Sequence, residues 1–334
     1  MAMAVVVPPA DLPPLRAVLF DVEGGGERHL DLVELESLEV GPGQMLWVDL
    51  CGAGDDLVAD VWRALRLPEC HLAGNGHPAL ARLGTRFALR VVSVRGSPAA
   101  GFEGDVLDVC AGDNVVVTSH AAPLAFLEEL RGGVDAGRGG RGELGRLSAE
   151  SFAATVLDAQ LSTYFDAVSA FEMAVERLEM EIFDDRRQEC LGELRELRRA
   201  ASRLRRMLAP HRTVFASLSR PDFRPDEGAQ ADRHFRSLDV RFERAMDMVE
   251  NCRDLVMGSF DLFSNQTALR MNRTMYVLTF ATVVLGLMAV VVGAFGMNFA
   301  TRLFDAEFGF SLTVGALALL GVSALLFARW RRWF

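Results

Sequence analysis

Lysine is absent: all 35 basic side chains of the 334 residues are arginine, set against 45 acidic ones for a formal charge of −10. Arginine-only usage reads as compositional bias, since no single chemistry would demand guanidinium at 35 separate sites. A basic excess is missing too, which argues against a nucleic-acid partner, because phosphate backbones are bound by clustered positive charge. The five cysteines, Cys51, Cys70, Cys110, Cys190 and Cys252, never form a Cys-x-x-Cys pair. That spacing argues against zinc ribbons and disulfide frameworks and leaves reduced, structural thiols. His71, His77 and His120 have no companion at ligand spacing, and Ser, His and Asp show no triad order, so the chain is not expected to be an enzyme. Glycine-rich stretches at 24–26 and 132–145 lack the Gly-Lys-Ser/Thr ending of a phosphate loop and read as turns or flexible connections. The N-terminal stretch has no basic region ahead of its short apolar run, so it is not read as a signal peptide.

What is present falls into three parts. Across residues 1–131, β-rich runs (AVLFDV, MLWVDL, FALRVVSV, DVLDVCAG, NVVVTSH) alternate with an amphipathic helical stretch at 55–67, which indicates an α/β domain. A Gly-rich connection at 132–147 leads to a helical stalk hairpin at 148–219, capped by Ser148 or Ser151. Its apolar stripe runs through Leu157, Leu161, Tyr164, Phe165, Val168, Phe171, Val175, Leu178 and Ile182. A Pro-rich turn at 220–230 reverses the chain into a helix over 231–298, roughly 100 Å long if unbroken. Phe235, Leu238, Phe242, Met246, Val249, Cys252, Leu255 and Phe260 are the expected buried positions along it.

The end of that helix, about 274–298, carries no charge and is long enough to cross a bilayer. A nine-residue loop, 299–307, joins it to a second apolar span at 308–328 and a basic tail at 329–334. Arg270 and Arg273 precede the first span, and Arg329, Arg331 and Arg332 follow the second. The positive-inside bias then puts both termini in the cytoplasm of a multi-pass protein of the inner (plasma) membrane, with Trp330 and Trp333 in the interfacial belt. One lipid-embedded hairpin has no interior, so conduction requires several copies. A stripe of small and hydroxylated residues, Met275, Thr282, Ala289 and Gly296 interleaved with Leu278 or Thr279, Gly286 and Gly293, suits close helix approach or a water path.

The first span closes on Gly296-Met297-Asn298, directly before the short loop and after the long helix. With Leu46-Trp47-Val48-Asp49, Leu157-Asp158-Ala159 with Tyr164-Phe165, Arg253-Asp254, Gly258 to Asp261 and the Arg/Trp tail, this arrangement resembles the CorA family of divalent-cation channels, which includes ZntB-type zinc transporters. The resemblance implies an α/β N-terminal cytoplasmic domain, long stalk helices and two C-terminal transmembrane helices in a homopentameric funnel whose first spans line the pore. It implies a selectivity filter at Gly296, Met297 and Asn298, whose amide oxygens hydrogen-bond the water shell of a reluctantly dehydrated Mg²⁺. Met275 and Leu278 match the hydrophobic constriction, and Asn272 a polar position below it; Thr282, Gly286, Ala289 and Gly293 complete the pore face.

The chain departs from the family at several points. Gly286 stands where a bulky gate residue is usual, and Ala289 replaces a hydroxyl. The loop lacks Met-Pro-Glu-Leu, leaving Asp305 and Glu307 to attract ions, and the family's sensing aspartate falls on Ser237, with Asp239 as a weak regulatory metal ligand. The expected activity is Mg²⁺ uptake down its electrochemical gradient, extending to Co²⁺ or Ni²⁺. A proton-coupled Zn²⁺ transporter and a non-conducting membrane-tethered scaffold are the alternatives. Partners are divalent ions, membrane lipid and further copies of the chain; Mg²⁺ is cargo or regulator, and no resident cofactor is expected.

Overall fold

A computed structural model of the chain describes residues 13–21, 26–41, 43–68, 72, 76–135, 148–183, 187–220, 223, 229–296 and 308–331. The elements in order are β1 (Leu15–Asp21), β2 (Gly26–Leu30), α1 (Leu32–Glu36), β3 (Gln44–Cys51), α2 (Asp55–Ala64), β4 (Ala79–Leu83), β5 (Arg86–Ser97), β6 (Gly101–Gly112) and β7 (Val115–His120). They are followed by α3 (Ala125–Asp135), α4 (Ala149–Phe183), α5 (Arg187–Leu208), a 3-10 turn (Ala209–His211), α6 (Arg212–Leu218), α7 (Ala229–Phe295) and α8 (Gly309–Trp330). The chain divides into two compact units, Met1–Ser259 and Phe260–Phe334.

In the first unit seven strands form one sheet in the order β2-β1-β3-β7-β6-β5-β4, with β3 and β7 parallel and the other neighbours antiparallel. Period-two alternation sorts the side chains of β3 between two helical layers. Leu46, Val48 and Leu50 join Val61 of α2 in one core, while Trp47 points the other way and meets Phe152 of α4 at 5.1 Å. Asp113 and Asn114, at φ 51° and 60°, make the tight left-handed turn that pairs β6 with β7. The five β-rich runs of the sequence are all strands. The short strands β2 and β4 show no apolar alternation, and they and the helices α1 and α3 were not expected from the sequence. Because α3 extends to Asp135, residues 132–135 belong to a helix rather than to the glycine-rich connection.

Inside this sheet lies Asp49, whose carboxylate is fully buried. Its Oδ1 accepts from Thr118 Oγ1 at 2.7 Å and His120 Nε2 at 3.0 Å, and its Oδ2 from Arg16 at 2.7 Å and Arg131 at 3.1 Å. His120 Nδ1 faces the Ala122 carbonyl at 2.7 Å, so both ring nitrogens meet acceptors. Burial alone would raise the Asp49 pKa, but His120, Thr118 and Arg131 outweigh it and hold it at about 2. His120, expected to ligate no metal, is thus committed to Asp49.

The helical hairpin attaches to the sheet where β4 runs out. β4 pairs with β5 no further than Ala79↔Arg90, leaving the backbone of Val92 and Val94 without a strand on that side. Side chains take the place of the missing strand. Gln160 Nε2 and Tyr164 Oη donate to the Val92 carbonyl at 2.6 and 2.9 Å, the Val92 N–H donates to His211 Nε2 at 2.8 Å, and the Val94 N–H to Thr163 Oγ1 at 3.0 Å. This satisfies polar groups that burial would otherwise penalise.

Ser148 caps α4, its Oγ accepting from Ser151 N at 3.2 Å. The helical hairpin expected over 148–219 opens with two helices, α4 and α5, and the residues between them lie outside the described ones. The α4 stripe is buried as expected except at Phe165, which is half-buried beneath Arg241, 5.2 Å from its ring centroid. Along α7 the buried positions run from Phe235 through Phe242 and Cys252 to Val256 and Ser259. Leu255 is only half-buried and Phe260 is 47% exposed, because the three-and-four spacing from Cys252 leads to Val256 and Ser259 instead. Ser259 Oγ donates to Glu179 at 2.8 Å.

The latch on β5 generates a pH dependence. Burial lowers the His211 pKa from 6.5 to about 4, so the folded ring stays neutral while the unfolded one protonates. Stability is therefore full above pH 6.5 and falls as pH drops toward 4, by roughly 3 kcal/mol at most. Thermal unfolding of the wild type from pH 7 to 4.5 should show this decline, and His211→Gln should flatten it; parallel curves would rule His211 out as its source.

Candidate functional site: the α7–α8 hairpin

In the second unit α7 continues through its apolar end and α8 follows; both are long and apolar enough to cross a membrane. Within this unit α7 has two distinct faces. Val277, Phe280, Val284, Met288 and Val291 are half-buried and recur at threes and fours, which places them on one stripe. Along α8 the half-buried positions are Thr313, Leu317, Leu320, Gly321 and Ala324, with Ala328 buried. A Cβ on Gly321 would lie 4.0 Å from Met288 Cε, so these stripes meet where a missing side chain admits a long one.

The residues expected to face a pore lie elsewhere on α7. Asn272, Met275, Leu278, Thr282, Gly286, Ala289 and Gly293 are all exposed. At 100° per residue they cluster on the side opposite the Val277–Val291 stripe. The structure therefore gathers them on one face, the one α8 leaves open. A Cβ on Gly286 or Gly293 would meet nothing within 4 Å, so neither glycine is required by contacts within the chain. Thr282 Oγ1 donates to the Leu278 carbonyl at 2.9 Å, which satisfies its hydroxyl inside its own helix. Gly296 ends the helix with its N–H shared between the carbonyls of Val292 at 2.9 Å and Gly293 at 3.2 Å. Met297, Asn298, Asp305 and Glu307 lie outside the described residues.

Asp239 belongs to the first unit and is half-buried on α7, where its Oδ2 accepts from Ser219 Oγ at 3.4 Å. Ser237 Oγ donates to the His234 carbonyl at 2.7 Å. Among the described residues no three His, Cys, Asp or Glu converge as a metal-holding group. Two features escaped sequence reasoning: the Asp49 network and the arginine-rich face of α5. The signals were a carboxylate in the otherwise apolar run MLWVDL and the dense LRRAASRLRR segment.

An α/β body, a 67-residue helix that continues into one apolar segment, and a second apolar helix define a two-span membrane protein with a large water-soluble domain. The CorA family, described as CorA-like Mg²⁺ transporter protein, matches residues 42–332, and the chain belongs to that family. It is similar to the divalent cation transporter CmaX of Pseudomonas aeruginosa, 29% identical over 82% of each chain. It is also similar to the cobalt/magnesium transport protein CorA of Thermotoga maritima, 24% identical over 58% of this chain and little more than half (55%) of that one. The complete structure of the CorA magnesium transporter from Methanocaldococcus jannaschii shares the fold with a TM-score of 0.68 at 17% identity, covering 94% of this chain and 97% of that one.

The two faces of α7 make a labelling prediction for the assembled protein in membranes. Single cysteines at Thr282 and Ala289 should react with a charged, water-soluble thiol reagent. Cysteines at Val284 and Met288 should not. Equal labelling of both stripes would remove the distinction between a wet face and a packed one.

Proposed function

We propose that the chain conducts hydrated Mg²⁺ into the cell through a pore lined by the Asn272–Gly296 face of α7 from several copies, five by resemblance to the family. The observation that carries this reading is the separation of faces on α7. The positions bearing an amide, a hydroxyl and the smallest side chains share one side, and α8 packs against the other. A single hairpin encloses nothing, so a ring of copies gives this face a use.

In this reading Asn298 presents one amide oxygen per copy at the outer mouth. A ring of such oxygens hydrogen-bonds the water shell of Mg²⁺ without stripping it, which suits an ion that dehydrates reluctantly. Gly296 provides the close approach that turns the side chain inward, Met297 packs the collar, and Asp305 and Glu307 raise the local cation concentration. Met275 and Leu278 form apolar rings that close the path by dewetting. Entry is driven by the membrane potential, about 2.3 kcal/mol per charge per 100 mV and twice that for a divalent ion. Among the described residues the α7 face offers neither His nor Cys, ligands that would favour zinc. Both termini are cytoplasmic, and the membrane is the inner (plasma) one.

Purified protein in liposomes should pass Mg²⁺ down its gradient without a proton gradient, and Zn²⁺ no better. Flux that requires protons would replace the channel with a coupled transporter, and no flux for any divalent ion would leave only a scaffold. Asn298→Ala should assemble normally yet lose discrimination among Mg²⁺, Co²⁺ and Ni²⁺ by about tenfold, the worth of a hydrogen bond to a charged group; unchanged selectivity would remove the filter assignment.

Leu278→Ser tests the constriction separately. A small hydroxyl in an apolar ring favours wetting, so single-channel recordings should show a several-fold rise in open probability. An unchanged open probability would take Leu278 out of the gate.

A further inference from the structure

α5 carries seven arginines and three glutamates in 22 residues of a chain whose net charge is −10. One side is buried through Cys190, Leu194, Leu197, Ala201, Leu204 and Leu208, which forces the charges onto the other. The described acids pair with only some of them. Glu193 pairs with Arg177, Glu196 with Arg199 at 2.7 Å, and Glu250 of α7 lies 3.6 Å from Arg205. Among the described residues Arg203 and Arg206 have no carboxylate within 4.0 Å.

Arg199, Arg203 and Arg206 stand four and three residues apart on one stripe, and that stripe borders a cavity of about 810 Å³ between α5 and the β5–β6 hairpin. The opposite wall is uncharged. Gly96 and Gly101, at φ +99° and +90°, form the hairpin turn, and its tip is Pro98, Ala99 and Ala100. Phe102, Val106 and Met207 complete the apolar lining, His77 lies at the rim, and among the described residues the one carboxylate lining the cavity, Glu196, is already paired with Arg199. The floor is closely packed: a Cβ on Gly104 would come within 2.6 Å of Val92 Cγ1 and 3.1 Å of Met207 Sδ.

We propose that this cavity binds a soluble phosphate-bearing anion the size of a nucleoside diphosphate. Its phosphates lie along Arg199, Arg203 and Arg206, and its apolar ring lies against the Pro98–Phe102 wall. The guanidinium fork matches phosphate oxygens in two parallel hydrogen bonds, and the cavity volume falls in the range of small-molecule sites. Neighbouring like charges on one helical stripe repel, so a ligand that neutralises them gains that energy as well.

The test uses the purified full-length chain in detergent with ADP, pyrophosphate and adenosine as probes, in Mg²⁺-free buffer, read by equilibrium dialysis and thermal shift. ADP should bind saturably and pyrophosphate more weakly, and adenosine should not bind. Arg203→Gln and Arg206→Gln should each weaken ADP binding about tenfold, as expected for a charge-assisted hydrogen bond. Arg195→Gln, exposed on the same helix but away from the cavity, should leave it unchanged. Both cavity arginines are exposed, so the variants should fold, which an unchanged melting temperature without ligand checks. Absence of saturable binding by either ADP or pyrophosphate would overturn the proposal, as would equal weakening by Arg195→Gln. So would a double Arg203/Arg206 variant that changes only the oligomeric state, since a second copy would then cover the face. Binding is read without transport, so this site and the proposed pore stand or fall separately.

Discussion

A carboxylate with no exposed surface stays charged only where donors replace the water it has lost, and Asp49 is held this way. The donors come from β1 (Arg16), β7 (Thr118 and His120) and α3 (Arg131), so a single side chain of β3 ties the middle of the sheet to the helix beyond it. The donors are themselves braced. Trp47 Nε1 donates to Thr118 Oγ1 at 3.1 Å, Arg131 lies 4.4 Å from the Trp47 ring centroid, and Glu128 shares Arg16. Trp47 in turn meets Phe152 of α4, so the same network bears on the layer that carries the helical hairpin.

The membrane segment obeys the opposite rule. Lipid supplies no hydrogen bonds, so hydroxyls facing it must be satisfied within the helix, as Ser323 is by the Leu320 carbonyl at 2.9 Å. Packing of α7 on α8 uses Val277, Phe280, Val284, Met288 and Val291, and these bulky residues exclude the opposite stripe from that contact. A residue type and its periodicity thus divide one helix between two environments.

Much of this was legible in the sequence because it rests on periodicity. Five strands, the α4 stripe and the two apolar helices follow from spacing, a serine cap at Ser148 or Ser151 from residue type, and the Met275–Gly293 face from the same 100° rule, whereas Asn272 came from the family resemblance. What was hidden depends on neighbours distant in the chain. β2 and β4 are short edge strands whose residues GERHL and ALARL do not alternate, so pairing rather than local propensity makes them strands. The backbone of Val92 needs Tyr164 and His211, which lie 72 and 119 residues away, and nothing in FALRVVSV announces that its edge is unpaired. The shift from Leu255 to Val256 has the same origin, since adjacent residues point 100° apart and only packing decides which is covered.

In the proposed arrangement, side-chain size along α7 decides where the path can close. Gly286 and Gly293 have no side chain, and Ala289 has one carbon, so rings of these residues leave a width set by the backbones alone. Apolar bulk sufficient for dewetting occurs only at Met275 and Leu278, so closure belongs to the end of the stripe nearer Asn272.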